Sequence, residues 1–183
     1  VVNLVDTSQD ILDRCRAKIR QNLELLTEGQ EISDSDAGSA FDRVRTTSNL
    51  PDGLSGAGLA IEAVPEKIEI KQEVFERMEG VALPGTILAS NASRLPTTQI
   101  AARCSHPELV VGMHFFEPPL ALRAVEVIRG QHTSDDTFQK AQAFVQSLGW
   151  VPIRILKDRE SFAINFLQGA MRRAVQDLVD AGV

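Results

Sequence analysis

The sequence predicts an α/β protein: an open, mostly parallel sheet covered by helices. Apolar runs of strand length alternate with segments of helical period almost throughout the 183 residues. Several of the strand-like runs are largely apolar rather than strictly alternating, which implies burial on both faces. The composition, 43% hydrophobic and 24% charged, supplies enough apolar mass for one packed domain and argues against disorder. No repeat or low-complexity segment interrupts the pattern.

Val1–Asp6 is a short apolar run ending in an acid, a buried strand. Thr7 and Ser8 are placed to cap a helix whose apolar face carries Ile11, Leu12, Cys15, Ile19, Leu23 and Leu26, with Gly29 as its stop. Residues 33–44 read as a weaker helix and Val44–Thr47 as a short strand. Gly53, Gly56 and Gly58 break the next stretch, before the strand Leu59–Val64. Pro65 suits the first turn after it, and a helix over Glu66–Glu79 follows, facing the core with Ile68, Val74, Phe75 and Met78. Thr86–Ser90 is a strand, Asn91–Leu95 a turn and Thr97–Cys104 a short helix. Val110–Phe115 and Ala124–Ile128 are strands flanking the Pro118-Pro119 turn. Ser134 caps a helix over Asp135–Leu148 that Gly149 ends; Val151–Leu156 is the last strand, and Phe162–Val179 is helical. The charged link Lys157–Ser161 marks the domain boundary.

A net charge of −6 argues against general nucleic-acid binding, which needs a basic face. No apolar run approaches the roughly 20 residues of a membrane span, and the first residues lack the basic start and apolar core of a signal peptide. Cys15 and Cys104 are too few and too scattered for a disulfide framework; both fall on apolar helix positions and are expected to pack. No His, Cys and acid cluster has metal-ligand spacing. A protein of a reducing compartment, the cytoplasm, is expected. Without a starting Met, and with a helix running to the last residues, both ends read as boundaries within a longer chain.

Glu126 is the most informative single residue, because it stands in the apolar run Ala124–Ile128. A buried carboxylate needs a partner or a raised pKa. It could instead face solvent from an edge strand, or be neutralised by Arg123 and Arg129. Against those readings stands His114, near the end of the preceding apolar strand. Two strands joined by a short connection can set His114 and Glu126 opposite each other across a ladder. A carboxylate beside an imidazole fixes its tautomer, the arrangement a general acid/base requires.

Ser93 follows a strand at the edge where open α/β sheets bind ligands, but is equally an ordinary turn serine. Asp6 closes its strand just before a helix. There it reads either as a helix cap or as the acid that accepts ribose hydroxyls in dinucleotide-binding folds. The Gly-rich turn such a fold carries about 20 residues earlier has no counterpart in the sequence. Asn165 interrupts the apolar stretch 162–167, where an amide demands partners. His106 and His132 lie in polar loops and are expected to be solvated.

Three motifs converge. Ser90-Asn91-Ala92-Ser93-Arg94-Leu95-Pro96, Val111-Gly112-Met113-His114-Phe115-Phe116 and Val125-Glu126-Val127-Ile128 together resemble the L-3-hydroxyacyl-CoA dehydrogenases. His114 follows Ser93 by 21 residues and Glu126 follows His114 by 12, spacings that resemble the family's. The resemblance extends to Leu4-Val5-Asp6, to Glu62-Ala63-Val64-Pro65-Glu66 with Lys71, and to Lys157-Asp158 before Phe162–Asn165.

It implies a Rossmann-like, doubly wound, mostly parallel sheet truncated at its N-terminus. This would be an incomplete NAD-binding domain over residues 1–158, with residues 159–183 beginning an all-α domain. It further implies NAD-dependent oxidation of L-3-hydroxyacyl-CoA in fatty-acid β-oxidation. His114 would be the base, Glu126 its support, and Ser93 and Asn165 the contacts to the substrate oxygen. Asp6, Ala63, Glu66, Lys71 and Ser93 would serve the cofactor. An acyl-CoA substrate and a homodimeric full-length protein follow from the same resemblance; the 183 residues alone are expected to bind NAD poorly and not to turn over. The sequence departs from the family pattern at Glu117, at Glu160-Ser161 before Phe162, and at Phe166. Two other expectations stand beside this one: a dehydrogenase of a free 3-hydroxy acid such as gulonate, and a catalytically silent scaffold that keeps the fold.

Overall fold

A computed structural model describes residues 1–183, which form two compact units: residues 1–57 with 81–83, and residues 58–80 with 84–183. In the first unit, β1 (Val2–Val5) pairs in parallel with β2 (Val44–Thr47), Val2 opposite Val44. Between them run α1 (Gln9–Glu28) and α2 (Asp34–Asp42). A short helix not expected from sequence, α3 (Leu50–Leu54), follows β2. Its Gly53 lies so close to β1 that a Cβ there would stand 2.2 Å from the Val5 side chain. That glycine serves close packing, where a chain break was expected.

Two expectations about α1 are corrected. Ser8 occupies the N-cap position, but no side chain caps the helix; the Ser8 N–H instead donates to Asp6 Oδ1. Cys15 is exposed, and Leu12 is the only fully buried residue of α1. Within its unit this 20-residue helix packs against α2 and β2, which are too small to cover its apolar stripe.

The second unit holds a five-stranded sheet in the order β3 (Leu59–Glu62), β4 (Ile87–Ser90), β5 (Val110–Phe115), β6 (Ala124–Ile128), β7 (Val151–Ile155). All neighbours are parallel except β5 and β6, which run antiparallel with His114 opposite Glu126. Every residue of β4 is buried, as are all of β5 but Phe115 and all of β6 but Ala124, as their apolar runs predict. On one face, Ala89, Val111, Met113, Val125 and Val127 pack with Phe138, Ala141 and Val145 of α6 (Asp135–Ser147). The Ser134 side chain caps α6 by accepting the Thr137 N–H, as its sequence predicts.

On the opposite face α5 (Thr97–Ile100) sits directly on the sheet. A Cβ at Gly112 would meet Thr97 Oγ1 at 2.6 Å and Ile128 at 2.9 Å. A single 3₁₀ turn, Ala101–Arg103, replaces the second half of the expected 97–104 helix.

Two helices begin later than their periodicity suggests, each because of the site. α4 (Ile68–Glu79) starts after an extended Lys67, with Glu66 directed toward the turn that follows β4. α7 (Ile164–Asp180) starts after Ser161 and Phe162, whose φ of 62° and 45° are left-handed. No helix is long and apolar enough to cross a membrane.

Candidate active site

The site of the second unit grows from strand register. Alternation along β5 and β6 sends Met113, Val125 and Val127 into the core and leaves His114 and Glu126 on the other face. The antiparallel pairing sets the two opposite each other, and His114 Nδ1 bonds Glu126 Oε2 at 2.8 Å. Glu126 is fully buried and His114 is 6% exposed. A bond to a carboxylate puts the ring proton on Nδ1 and leaves the Nε2 lone pair available. No protein group bonds Nε2, and it is not a buried atom without a partner. Phe116 and Phe162 flank the ring, their centroids 5.2 and 5.8 Å away.

Burial alone would raise the Glu126 pKa. The hydrogen bond from His114 and those from the Ile164 and Ala163 N–H groups outweigh it and hold the carboxyl below its usual range. Those two amides donate to Oε1 at 2.9 and 3.1 Å, so one carboxylate both orients the imidazole and caps the start of α7. This removes the solvent-facing reading of Glu126. It is also why α7 begins at Ile164.

Ser93 lies in the turn after β4. Its carbonyl accepts from Asn165 Nδ2 at 2.9 Å, and the Arg94 carbonyl accepts from the Ser161 N–H at 3.0 Å. The turn is thereby tied to the residues that begin α7. Asn91 Oδ1 accepts the Phe115 N–H at 3.0 Å, fastening the end of β4 beside His114. His114, Glu126, Ser93 and Asn165 thus belong to one bonded assembly: Ser93 to Asn165, α7 to Glu126, Glu126 to His114.

Of the residues expected to serve a cofactor, Ala63 is exposed just past the end of β3. Lys71 is 1% exposed on α4, with its ammonium against Glu62 Oε1 at 2.7 Å, the Val64 carbonyl at 3.1 Å and Glu66 Oε2 at 3.4 Å. Glu66 Oε1 accepts the N–H groups of Ser93, Arg94 and Leu95 at 2.9, 2.7 and 3.2 Å. Burial pushes the Glu66 pKa up, but the amides of Arg94 and Leu95 and the charge of Lys71 bring it below its usual value. Asp6 belongs to the first unit; its Oδ1 is engaged by the Ser8 N–H, and no protein group bonds Oδ2. His106 and His132 are exposed, as expected, and Cys104 is half-buried. No group of three His, Cys, Asp or Glu side chains is arranged to hold a metal ion.

Residues 1–159 match the family described as 3-hydroxyacyl-CoA dehydrogenase, NAD binding domain. The chain belongs to that family. Its cofactor is therefore NAD, and its fold is the Rossmann-like one expected of it. The chain is 39% identical over 140 residues to the 5-formyl-3-hydroxy-2-methylpyridine 4-carboxylate 5-dehydrogenase of Mesorhizobium japonicum, covering 76% of this chain and 45% of that protein. It is 36% identical over 165 residues to the 3-hydroxybutyryl-CoA dehydrogenase of Clostridioides difficile, covering 90% of this chain and 58% of that one. The crystal structure of FadB2 from M. tuberculosis superposes with a TM-score of 0.93 at 30% identity, covering 99% of this chain and 64% of that one. The chain spans about half the length of these two relatives.

Sequence reasoning missed Glu62 and Ser90 as site groups. Glu62 is 3% exposed, accepts the Val64 N–H at 2.6 Å and the Ser90 hydroxyl at 2.8 Å, and pairs with Lys71. The same signal that singled out Glu126, an acid within an apolar strand, was available for Glu62. For Lys71 the signal was helical spacing: positions 68, 71, 75 and 78 share one face, so a lysine there is buried.

Proposed function

We propose that the intact dehydrogenase oxidises the 3-hydroxyl of an L-3-hydroxyacyl-CoA to the ketone. The observation that carries the reading is the buried His114–Glu126 pair, with Nδ1 committed to the carboxylate and Nε2 free of any protein partner. As the C3 hydrogen leaves as hydride, the O–H bond electrons become the C=O π bond and the hydroxyl proton passes to His114 Nε2. Glu126 stays ionised and stabilises the imidazolium that forms. The Ser93 hydroxyl, which no group of the protein bonds, donates to the substrate oxygen, and Asn165 supports it through the Ser93 carbonyl.

NAD supplies the two-electron acceptor for the hydride. The residues present suit it. The free Oδ2 of Asp6 at the carboxyl end of β1 is the acceptor that ribose hydroxyls require, and an acid there disfavours a 2′-phosphate. In the second unit, exposed Ala63 and the Ser93 turn stand at the carboxyl ends of parallel strands. Residues 159–183 are read as the start of a helical second domain.

The test is NADH formation by the intact protein with L-3-hydroxybutyryl-CoA, which His114→Ala should abolish. Unchanged turnover in that variant refutes the reading, and absence of turnover in the parent protein favours the silent scaffold. A second reading, oxidation of a substrate without CoA, is favoured by the likeness to the pyridine-carboxylate dehydrogenase. Higher kcat/KM with a free 3-hydroxy acid than with the thioester would select it.

A further inference from the structure

Glu126 holds the His114 imidazole at Nδ1 alone. The side chain turns about χ1 and χ2, and one bond constrains one combination of them; the other still swings Nε2. Two phenyl rings from different segments close in on that remaining freedom. Phe116, just past the end of β5, meets the imidazole edge-on, with centroids 5.2 Å apart and 74° between the planes. Phe162, from the link before α7, lies at 5.8 Å and is tilted by 50°. Neither carries a hydrogen-bonding group, so they crowd the imidazole without competing for its nitrogens. Phe162 is 2% exposed and stands with Ser161 on left-handed backbone, φ 45° and 62°. Two successive non-glycine residues keep such a conformation only where their surroundings impose it. Here the Ser161 N–H is held by the Arg94 carbonyl, and the Ser161 carbonyl by the Phe166 N–H. The conformation delivers three groups to one place: the Phe162 ring to His114, and the Ala163 and Ile164 amides to Glu126.

We propose that Phe116 and Phe162 are positioning residues, an aromatic clamp that removes the remaining freedom of the His114 ring and so aims Nε2. The proposal deepens the reading above, in which Nε2 takes the substrate proton, and rests on it. Edge-on and tilted ring pairs at these separations are attractive and directional, so the clamp selects an orientation as well as filling space. A base held in line before substrate arrives benefits the chemical step more than binding. Phe162 also ties the clamp to the link. The segment that brings its ring brings the amides that hold Glu126, so docking of the link fixes both members of the pair.

The experiment compares Phe116→Leu, Phe162→Leu and Phe116→Tyr in the intact protein. The order parameter of the His114 ring, from carbon relaxation at Cε1, and solvent exchange of its Nδ1 proton are measured together with kcat, KM and the dissociation constant for NAD. In each leucine variant the order parameter should fall, the proton should exchange about tenfold faster or more, and kcat should drop by about the same factor. KM and the NAD dissociation constant should move less than about threefold. Phe116→Tyr keeps the ring and should stay within about threefold of the parent in every reading. Phe116 is only half-buried, so its two variants decide the matter where loss of buried Phe162 unfolds the protein. An unchanged ring order parameter in the leucine variants would overturn the proposal, whatever their turnover. So would a roughly tenfold weaker NAD affinity with kcat intact, which would make the rings cofactor contacts, or a Phe116→Tyr variant as impaired as Phe116→Leu. Absence of 3-hydroxyacyl-CoA oxidation in the parent protein would instead sink the functional reading. Ring order and proton exchange still decide the clamp in that case.

Discussion

Replacing Glu126 by Gln keeps the shape of a fully buried side chain and removes its charge. The amide has two orientations. With its NH₂ toward the α7 amides, a donor faces the Ala163 and Ile164 N–H groups and leaves both without an acceptor, at about 1–3 kcal/mol each. With its oxygen toward those amides, the NH₂ faces His114 Nδ1, now 2.8 Å from a donor, and the ring must carry its proton on Nε2. The second orientation costs less stability, so it wins. It also blocks the lone pair that takes the substrate proton in the proposed reaction. The expected result is a folded protein with NAD affinity within about threefold of the parent and kcat lower by about 10²–10⁴, the range general-base catalysis supplies, or about 3–5 kcal/mol of barrier. NADH absorbance gives kcat, calorimetry the affinity, and a thermal melt the fold. In a His114→Ala background the substitution should add little. A Glu126→Gln enzyme with kcat within threefold of the parent would refute the assignment of Nε2 as the base.

Four further expectations follow from the same geometry. Lys71→Met strands the buried Glu62 carboxylate and should cost about 3–5 kcal/mol in urea unfolding, whereas adding Glu62→Gln should return part of that loss. Ser161→Gly removes a side chain from left-handed backbone that costs a non-glycine residue roughly 1–2 kcal/mol, so the melting temperature should rise by a few degrees. Burial, with Glu79 and Glu76 nearby, pushes the Cys104 thiol up to about 12, so iodoacetamide at neutral pH should label exposed Cys15 and spare Cys104 in the native protein. Glu126 and Glu66 both titrate below the ordinary 4.5 when folded. The stability they contribute is therefore complete above that value and lost as pH falls through their folded pKa values, and Glu126→Gln should flatten the acid limb of urea midpoint against pH.

The sheet was legible because its strands are apolar at successive positions, a pattern that water-facing strands do not show. The starts of α5 and α6, at Thr97 and Asp135, were legible, and those of α4 and α7 were not. The first residues of α4 and α7 are fixed by contacts distant in sequence, Glu66 with the 93–95 turn and Glu126 with the Ala163 and Ile164 amides. No local propensity encodes those. The His114–Glu126 pair was legible because a short connection between two apolar strands constrains register. The tie from Asn165 to Ser93 spans 72 residues and had no local signature beyond an amide in an apolar stretch. Lys71 was given to the cofactor and left off the core face of α4, although its helical spacing marks that face. Exposure of Cys15 was misjudged for the opposite reason, since periodicity names a helix face without saying whether its unit can cover it.

The geometry of the His114–Glu126 pair depends on one inversion of strand direction. Had β6 run parallel to β5, their connection would have required a crossover of a dozen or more residues, and the facing pair would not have been set by a short link. Antiparallel pairing puts His114 and Glu126 side by side on one face while Met113, Val125 and Val127 fill the other. A slip of one residue would carry the imidazole into the apolar layer against α6 and expose a valine in its place. The core therefore polices the register on which the proposed proton transfer depends. The second oxygen of Glu126 extends that control to α7, because the carboxylate can orient His114 fully only while the Ala163 and Ile164 amides hold its other end. Formation of the His114–Glu126 pair and docking of the last helix are thus two consequences of the same buried charge.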